Sequence, residues 1–236
     1  MSPAQPLSLA IAGARQQGRV AVVADIKPVS PRDGDLLGGR SPAALARSLA
    51  GAGACALSVV TETRHFGGSC STLAEVAGAV PLPVLRKDFL SRPAELDESL
   101  AAGAAAVLLI LSTMGDAVAR ELHERAAELG LEAVVEVHTP QELERALRLE
   151  PGIVGINNRN ILELERDPGG VATTEHLAPL VPEGITILSE SALLTDDDVR
   201  RALAAGADAV LIGTLLLRAV DPAARLRELV GLEIAS

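Results

Sequence analysis

Among the 21 cationic side chains of this 236-residue chain, only Lys27 and Lys87 are lysines. Aromatic residues are as sparse: Phe66 and Phe89, with no Trp and no Tyr. An ammonium differs from a guanidinium in that burial and neighbours can tune it to give up a proton near neutral pH. Lys27 follows Asp25 by two positions, and Lys87 directly precedes Asp88. Further along come Glu136, Asn157 with Arg159, and Glu190 between Ser189 and Ser191. Two lysines and several carboxylates, if brought onto one face, make a set suited to general acid–base catalysis. Taken singly, each has a plainer use: a carboxylate at a strand end often caps a helix, and a lysine at a loop start is often just solvated. Their grouping is what favours chemistry.

What could bring them together is a run of alternating elements. Short apolar runs at 20–26, 54–60, 84–85, 106–111, 133–137, 153–156, 185–188 and 209–212 read as strands. Amphipathic stretches at 42–50, 72–79, 93–102, 116–129, 140–149, 173–180, 196–205 and 222–230 read as helices. Ser41, Thr139 and Asp221 each stand just before a Pro, a cap followed by a first helical residue. AGAGACALSV (50–59), AAGAAAVLLI (101–110) and AAGADAVLIG (204–213) form a weak internal repeat. Each is a helix end, a Gly suited to a left-handed cap, and a buried parallel strand. Strand–helix units repeating at roughly 27 residues predict an α/β chain with one (β/α)8 TIM barrel over 1–236, its segment 1–19 preceding the first strand. A doubly wound open sheet is the alternative, weakened by the lack of G-x-G-x-x-G after the first strand.

In such a barrel the site forms where strands end. Asp25, Lys27, Lys87, Glu136, Asn157, Arg159, Glu190, Ser191, Gly213 and Thr214 all fall on that rim, as do the loops holding Phe66 and Phe89. The loops after the last two strands begin SESA (189–192) and GT (213–214), small residues that admit a phosphate to backbone N–H groups. Ser30 in the first loop could add a hydroxyl; ordinary helix capping is the competing use for all of these. His65 and His138 sit in loops near the rim and are weaker candidates, while His123 and His176 read as helix-surface residues.

Composition narrows the partners. The net charge of −10, with no basic run, argues against a nucleic-acid backbone. The longest nearly apolar stretch, 101–111, is far below the ~18–20 residues of a membrane span, and the N-terminus lacks a signal-peptide pattern. Cys55 and Cys70 make neither a metal set nor a disulfide framework. With 48% hydrophobic residues, a globular cytoplasmic protein is expected.

DIKPVSP (25–31), SVVTETRHFGGS (58–69), LPVLRKDF (82–89), EVHT (136–139), GINNRN (155–160), SESA (189–192) and GADAVLIGTLLLR (206–218) together resemble indole-3-glycerol phosphate synthases, in order and over nearly the whole chain. The resemblance implies a (β/α)8 barrel that converts 1-(2-carboxyphenylamino)-1-deoxyribulose 5-phosphate to indole glycerol phosphate, CO2 and water in tryptophan biosynthesis. It implies no cofactor and no metal, a small phosphorylated substrate as partner, and other enzymes of that pathway as further partners. By that resemblance Lys87 is the general acid and Glu136 the general base, and Lys27 contacts the substrate carboxylate or donates a proton. Asn157 and Arg159 orient the substrate, Glu190 and Ser191 lie beneath and beside it, and Phe66 and Phe89 wall its aryl ring. Ser30, Ala192, Gly213 and Thr214 form the phosphate cradle. Three features depart from the family pattern: Asp25 replaces Glu, Ala192 replaces Gly, and the segment before the first strand is short, so the helical extension that helps cover the site is expected to be reduced or missing. The alternatives are a paralogue acting on a related arylamino sugar phosphate, a barrel isomerase of phosphoribosyl amines, and a non-catalytic phosphate-ligand binder.

Overall fold

A computed structural model describes residues 5–159 and 170–233. Asn160, which ends the GINNRN motif, and residues 1–4 of the N-terminal segment lie outside the described residues. Eight parallel strands close into a barrel: β1 (Val22–Ile26), β4 (Ala56–Val60), β5 (Val84–Lys87), β6 (Ala106–Ile110), β7 (Glu132–Val137), β8 (Ile153–Asn157), β9 (Thr186–Glu190) and β10 (Ala209–Ile212). Closure is made by β1, which pairs with β4 on one side and with β10 on the other, Val22 opposite Val210. The expected (β/α)8 barrel is therefore the fold, and the open sheet is excluded.

Helices α2 (Pro42–Gly51), α3 (Cys70–Ala77), α4 (Pro93–Ala101), α5 (Asp116–Leu129), α6 (Pro140–Leu147), α7 (Ala172–Leu177), α8 (Asp196–Ala204) and α10 (Pro222–Val230) follow the strands around the outside. Ser41, Thr139 and Asp221 cap α2, α6 and α10 with their side chains, as the sequence predicts. Gly53, Gly103 and Gly206 of the repeat all take positive φ, 104°, 86° and 108°, which lets each helix turn sharply into the next strand. The sequence patterns miss three small elements: a hairpin of β2 (Val29–Ser30) and β3 (Gly34–Asp35), a 3-10 turn at Leu111–Thr113, and the short helix α9 (Thr214–Leu217). These have too few residues to show a period.

Strand residues alternate between two apolar clusters. Val22, Ala24, Leu57, Val135 and Val210 face the helices, while Val23, Leu85, Leu108, Val134, Leu188 and Leu211 fill the barrel. The N-terminal segment carries a ten-residue helix, α1 (Leu7–Gln16), whose Leu7, Ile11 and Ala14 join the inner cluster. Ser8 donates from Oγ (2.5 Å) and from its backbone N–H (3.0 Å) to Glu132 at the start of β7, and Arg15 pairs with Asp208 just before β10. Helix α1 thus plugs the N-terminal end of the barrel, opposite the strand ends that carry the polar residues. Among the described residues the segment before β1 holds this one helix, at the base of the barrel and away from the strand ends that carry the site.

Candidate active site

Alternation along the strands decides which polar residues point inward. Leu85 is in the inner cluster, so Lys87 is inward and Arg86 outward; Val134 places Glu136 inward, and Leu188 does the same for Glu190. These side chains form a charged layer directly above the apolar filling. Lys87 Nζ donates to Glu190 Oε2 at 2.5 Å and lies 3.5 Å from Glu136 Oε2, both carboxylates being fully buried. Adjacent strands supply the pieces: Ile110 is opposite Glu136, Glu136 opposite Gly155, and Asn157 opposite Glu190.

Two carboxylates about one ammonium split in their proton affinity. Burial and the Glu136 charge push Glu190 up to about 7 against the pull of Lys87. Glu136 is held below the ordinary range: burial opposes this, but Lys87, His138 and Asn157 outweigh it. For Lys87, burial acts downward, but Glu190, Glu136 and Asp25 together hold its pKa above that of an ordinary lysine. Among the described residues, both Glu136 oxygens, Glu190 Oε1, Asn157 Nδ2 and His138 Nε2 are buried without an aligned hydrogen bond, although Lys87 and His138 stand within ion-pair distance of Glu136. Native structures seldom leave buried polar atoms unsatisfied, so such a cluster is the mark of a site shaped for something other than stability.

Above the charged layer a cavity opens to solvent. Its lining includes Asp25, Lys27, Phe66, Lys87, Phe89, Arg159, Ser191, Ala192, Gly213 and Thr214, with Leu108, Ile110 and Leu211 adding apolar surface. Glu136, Asn157 and Glu190 lie beneath it, essentially without exposure. Lys27 Nζ stands 5.9 Å from the centroid of the Phe66 ring, placing a cation beside an apolar wall. The Phe66 loop is folded around Glu62, whose carboxylate accepts the backbone N–H groups of Arg64 (2.9 Å), His65 (2.7 Å) and Phe66 (2.9 Å). Ser30 Oγ accepts from the N–H groups of Arg32 (3.3 Å) and Asp33 (3.2 Å) in the hairpin turn, and it is Arg32 and Asp33 that reach the cavity wall.

The neighbours of the charged layer hold it in place. Arg86, buried outside the strands, donates from Nε to Thr61 Oγ1 (3.0 Å), from Nη1 to the Glu95 carbonyl (2.8 Å) and from Nη2 to Asp88 Oδ2 (3.1 Å). Asp88, though on the rim, is thereby a partner of Arg86 and of the Thr61 hydroxyl (2.6 Å). Asn158 Nδ2 donates to Ser189 Oγ and to the Glu190 carbonyl, both at 3.0 Å, while its Oδ1 accepts from Thr174 of α7. Asn157 Oδ1 accepts the Arg159 N–H at 3.0 Å, directing its amide nitrogen elsewhere. After β9, Ser191 and Ala192 are both left-handed, with φ of 65° and 56°. Consecutive non-Gly residues in that region are strained, and such strain gathers at functional sites.

The structure thus brings the sequence-picked residues together at the strand ends, with Glu136, Asn157 and Glu190 beneath the cavity and Ser30 set back behind Arg32 and Asp33. Sequence patterns missed Arg32, Asp33 and Glu62 as lining residues; Arg32 and Asp33 follow Ser30 in a hairpin too short to detect, and Glu62 stands among turn residues. Among the described residues, no helix is long and apolar enough to cross a membrane.

Known proteins share this chain's pattern. The sequence profile of the indole-3-glycerol phosphate synthase family matches residues 2–229. The protein of that name from Thermococcus kodakarensis is 42% identical over 220 residues, spanning 93% of this chain and 96% of its own length. Its counterpart in Nocardioides sp. is 45% identical over 215 residues, 90% of this chain and 81% of its own. That of Pyrococcus furiosus is 42% identical over 220 residues, with the same coverage as the first, 93% and 96%.

Proposed function

The chain belongs to the indole-3-glycerol phosphate synthase family, and from that premise we propose how its own residues divide the work. The enzyme is a decarboxylating lyase of tryptophan biosynthesis: it closes the indole ring of 1-(2-carboxyphenylamino)-1-deoxyribulose 5-phosphate, releasing CO2 and water. Lys87 donates a proton to the keto oxygen as the carboxyl-bearing ring carbon bonds to the keto carbon. The carboxylate then leaves as CO2, and its bonding electrons restore the aromatic ring. For dehydration, Glu136 takes a proton from the carbon beside the ring nitrogen while the new hydroxyl is protonated and expelled as water. The 3.5 Å between Lys87 and Glu136 allows that proton to return to the acid, so the pair resets with one net proton drawn from solvent.

Lys27, beside the Phe66 ring, takes the substrate carboxylate, and Phe66 with Phe89 holds the aryl group. Asn157 and Arg159 orient the ribulose chain, and Asp25 and Glu190 keep Lys87 charged and placed. Ser191, Ala192, Gly213 and Thr214 receive the phosphate, with Ser30 supporting the hairpin at that edge. The loops after β9 and β10 suit this because Ser191, Ala192, Gly213 and Thr214 border the cavity with small side chains that leave their backbone approachable. No cofactor enters any step. The substrate carries a phosphate and a carboxylate and cannot cross a bilayer unaided, which supports a cytoplasmic enzyme working beside others of its pathway.

The observation that carries this reading is Lys87 clamped between Glu190 and Glu136 at the floor of an apolar-walled cavity. Its test is conversion of the carboxyphenylamino substrate by the purified protein, followed by indole fluorescence in a chain without Trp or Tyr. Glu136→Gln and Lys87→Arg should each lower kcat by at least ~10² with the fold retained, because guanidinium holds its proton and an amide cannot accept one. Near-parental turnover in either variant removes that residue from the mechanism.

A further inference from the structure

Charge balance at the floor of the site is incomplete with lysine alone. Glu136 and Glu190 are both fully buried, and Lys87 is their common partner, 2.5 Å from Glu190 but 3.5 Å from Glu136. A buried carboxylate without a close cation is costly and tends to take up a proton. A protonated Glu136 could not act as a base. On its far side lies His138, two residues along the same strand and loop, with Nε2 3.3 Å from Glu136 Oε1. The other ring nitrogen, Nδ1, is 3.1 Å from Glu142 Oε2, and the same oxygen accepts the His138 backbone N–H at 2.7 Å. Glu142 is itself fixed as the third residue of α6, its N–H donating to the capping Thr139 hydroxyl at 3.2 Å.

We propose that His138 is a positioning residue for the reaction: an imidazolium bridging Glu136 and Glu142 that supplies the second positive charge Glu136 needs to stay ionised and fixes the direction of its carboxylate. The inference rests on Glu136 being the base. Nδ1 is hydrogen-bonded to Glu142 and Nε2 faces Glu136 at ion-pair distance, so the ring meets a carboxylate favourably on each side only when both nitrogens carry protons. Its surroundings agree. Glu136 on β7 and Glu142 on α6 are the carboxylates facing it, with Lys87 of β5 and Glu190 of β9 beyond Glu136. The adjoining turn, Leu111–Thr113, has no titratable group, and Arg145 of α6 is engaged with Asp116 and the carbonyls of Leu111 and Met114. Arg159, after β8, lines the cavity instead. Burial opposes protonation of His138, but the two glutamates prevail and hold its pKa above the ordinary histidine range.

The alternative is that His138 merely packs against the start of α6. Two readouts separate these. In kcat/KM against pH, the acid limb marks protonation of the base; His138→Gln keeps a hydrogen-bonding side chain but no charge, so the limb should move up by about one pH unit. Thr139→Ala loosens the cap of α6 without touching the imidazole and should leave the limb in place. A folded His138→Gln with an unmoved limb, or Thr139→Ala moving it equally, overturns the proposal. Should His138→Gln not fold, Glu142→Gln tests the same bridge, with a smaller upward shift expected and no shift counting against it. With four histidines in the chain, imidazole NMR supplies an arm independent of turnover. The His138 midpoint should fall in Glu136→Gln; if it stays, the bridge is refuted. If instead Glu136→Gln keeps full turnover, the base assignment fails while the NMR midpoint still decides the contact.

Discussion

Gly155 offers the sharpest probe of how the charged layer is held. It lies in β8 opposite Glu136, and a Cβ built there would sit 2.7 Å from Glu190 Oε1 and 3.0 Å from Val134 Cγ1. Ordinary contact begins at 3.4 Å, so in Gly155→Ala the Glu190 carboxylate must retreat by about 0.7 Å. Glu190 cannot simply move as a whole, because its carbonyl accepts from the Asn158 N–H (2.9 Å) and side-chain amide (3.0 Å). The swing is therefore taken by the carboxylate, and it strains the 2.5 Å hydrogen bond from Lys87. Misplacement of a catalytic group by 1 Å can cost ~10² in rate, so a drop in kcat of roughly 30- to 100-fold is expected. Overpacking against Val134 costs about 1–3 kcal/mol, offset by ~0.5–1 kcal/mol from replacing Gly in a strand. The net loss of stability is about 0.5–2 kcal/mol, readable by urea denaturation in far-UV circular dichroism. Gly152→Ala is the control, since a Cβ there meets nothing within 4 Å. If Gly155→Ala turns over at the parental rate and is no less stable, Glu190 does not set the position of Lys87 and the reasoning fails.

Two further outcomes follow from the rim. Thr214→Asp places a negative charge where the phosphate is proposed to bind; KM should rise by about tenfold or more with kcat changed far less, and steady-state kinetics showing an unchanged KM would reject that placement. Ala192→Gly should raise unfolding stability by about 0.5–1 kcal/mol, because φ of 56° suits glycine, and an equal or lower urea midpoint would show that the surroundings have absorbed the strain.

The barrel was legible because a parallel strand buried on both faces reads as an apolar run and its helix reads as a period near 3.6. The strand ends were less so. Apolar runs stop at Leu85 and Leu188, yet the ladders continue through Lys87 and Glu190, since each charge offsets the other and the backbone need not leave the sheet. The two lysines and the rim carboxylates stood out by scarcity and position. That Asp88 serves Arg86, or that Asn158 braces β9, depends on partners distant in sequence, which no local pattern encodes. His138 was visible only as a loop residue near the rim. Its interest arises from Glu136 and Glu142, which stand on opposite sides of it only when strand and helix are folded together.

The plugged base of the barrel also bears on how the chain is made. Translation delivers β1 first, but its second partner, β10, emerges some 190 residues later, as the pairing of Val22 with Val210 requires. Until then the nascent sheet has an open edge and an uncovered apolar interior, a state prone to association. Helix α1 has two anchors of different age. Glu132 is synthesised midway and can hold Ser8 while the sheet is still growing, whereas Asp208 reaches Arg15 only at the end. The helix that seals the finished barrel is thus anchored by two contacts, one of which is complete in the chain well before the barrel can close.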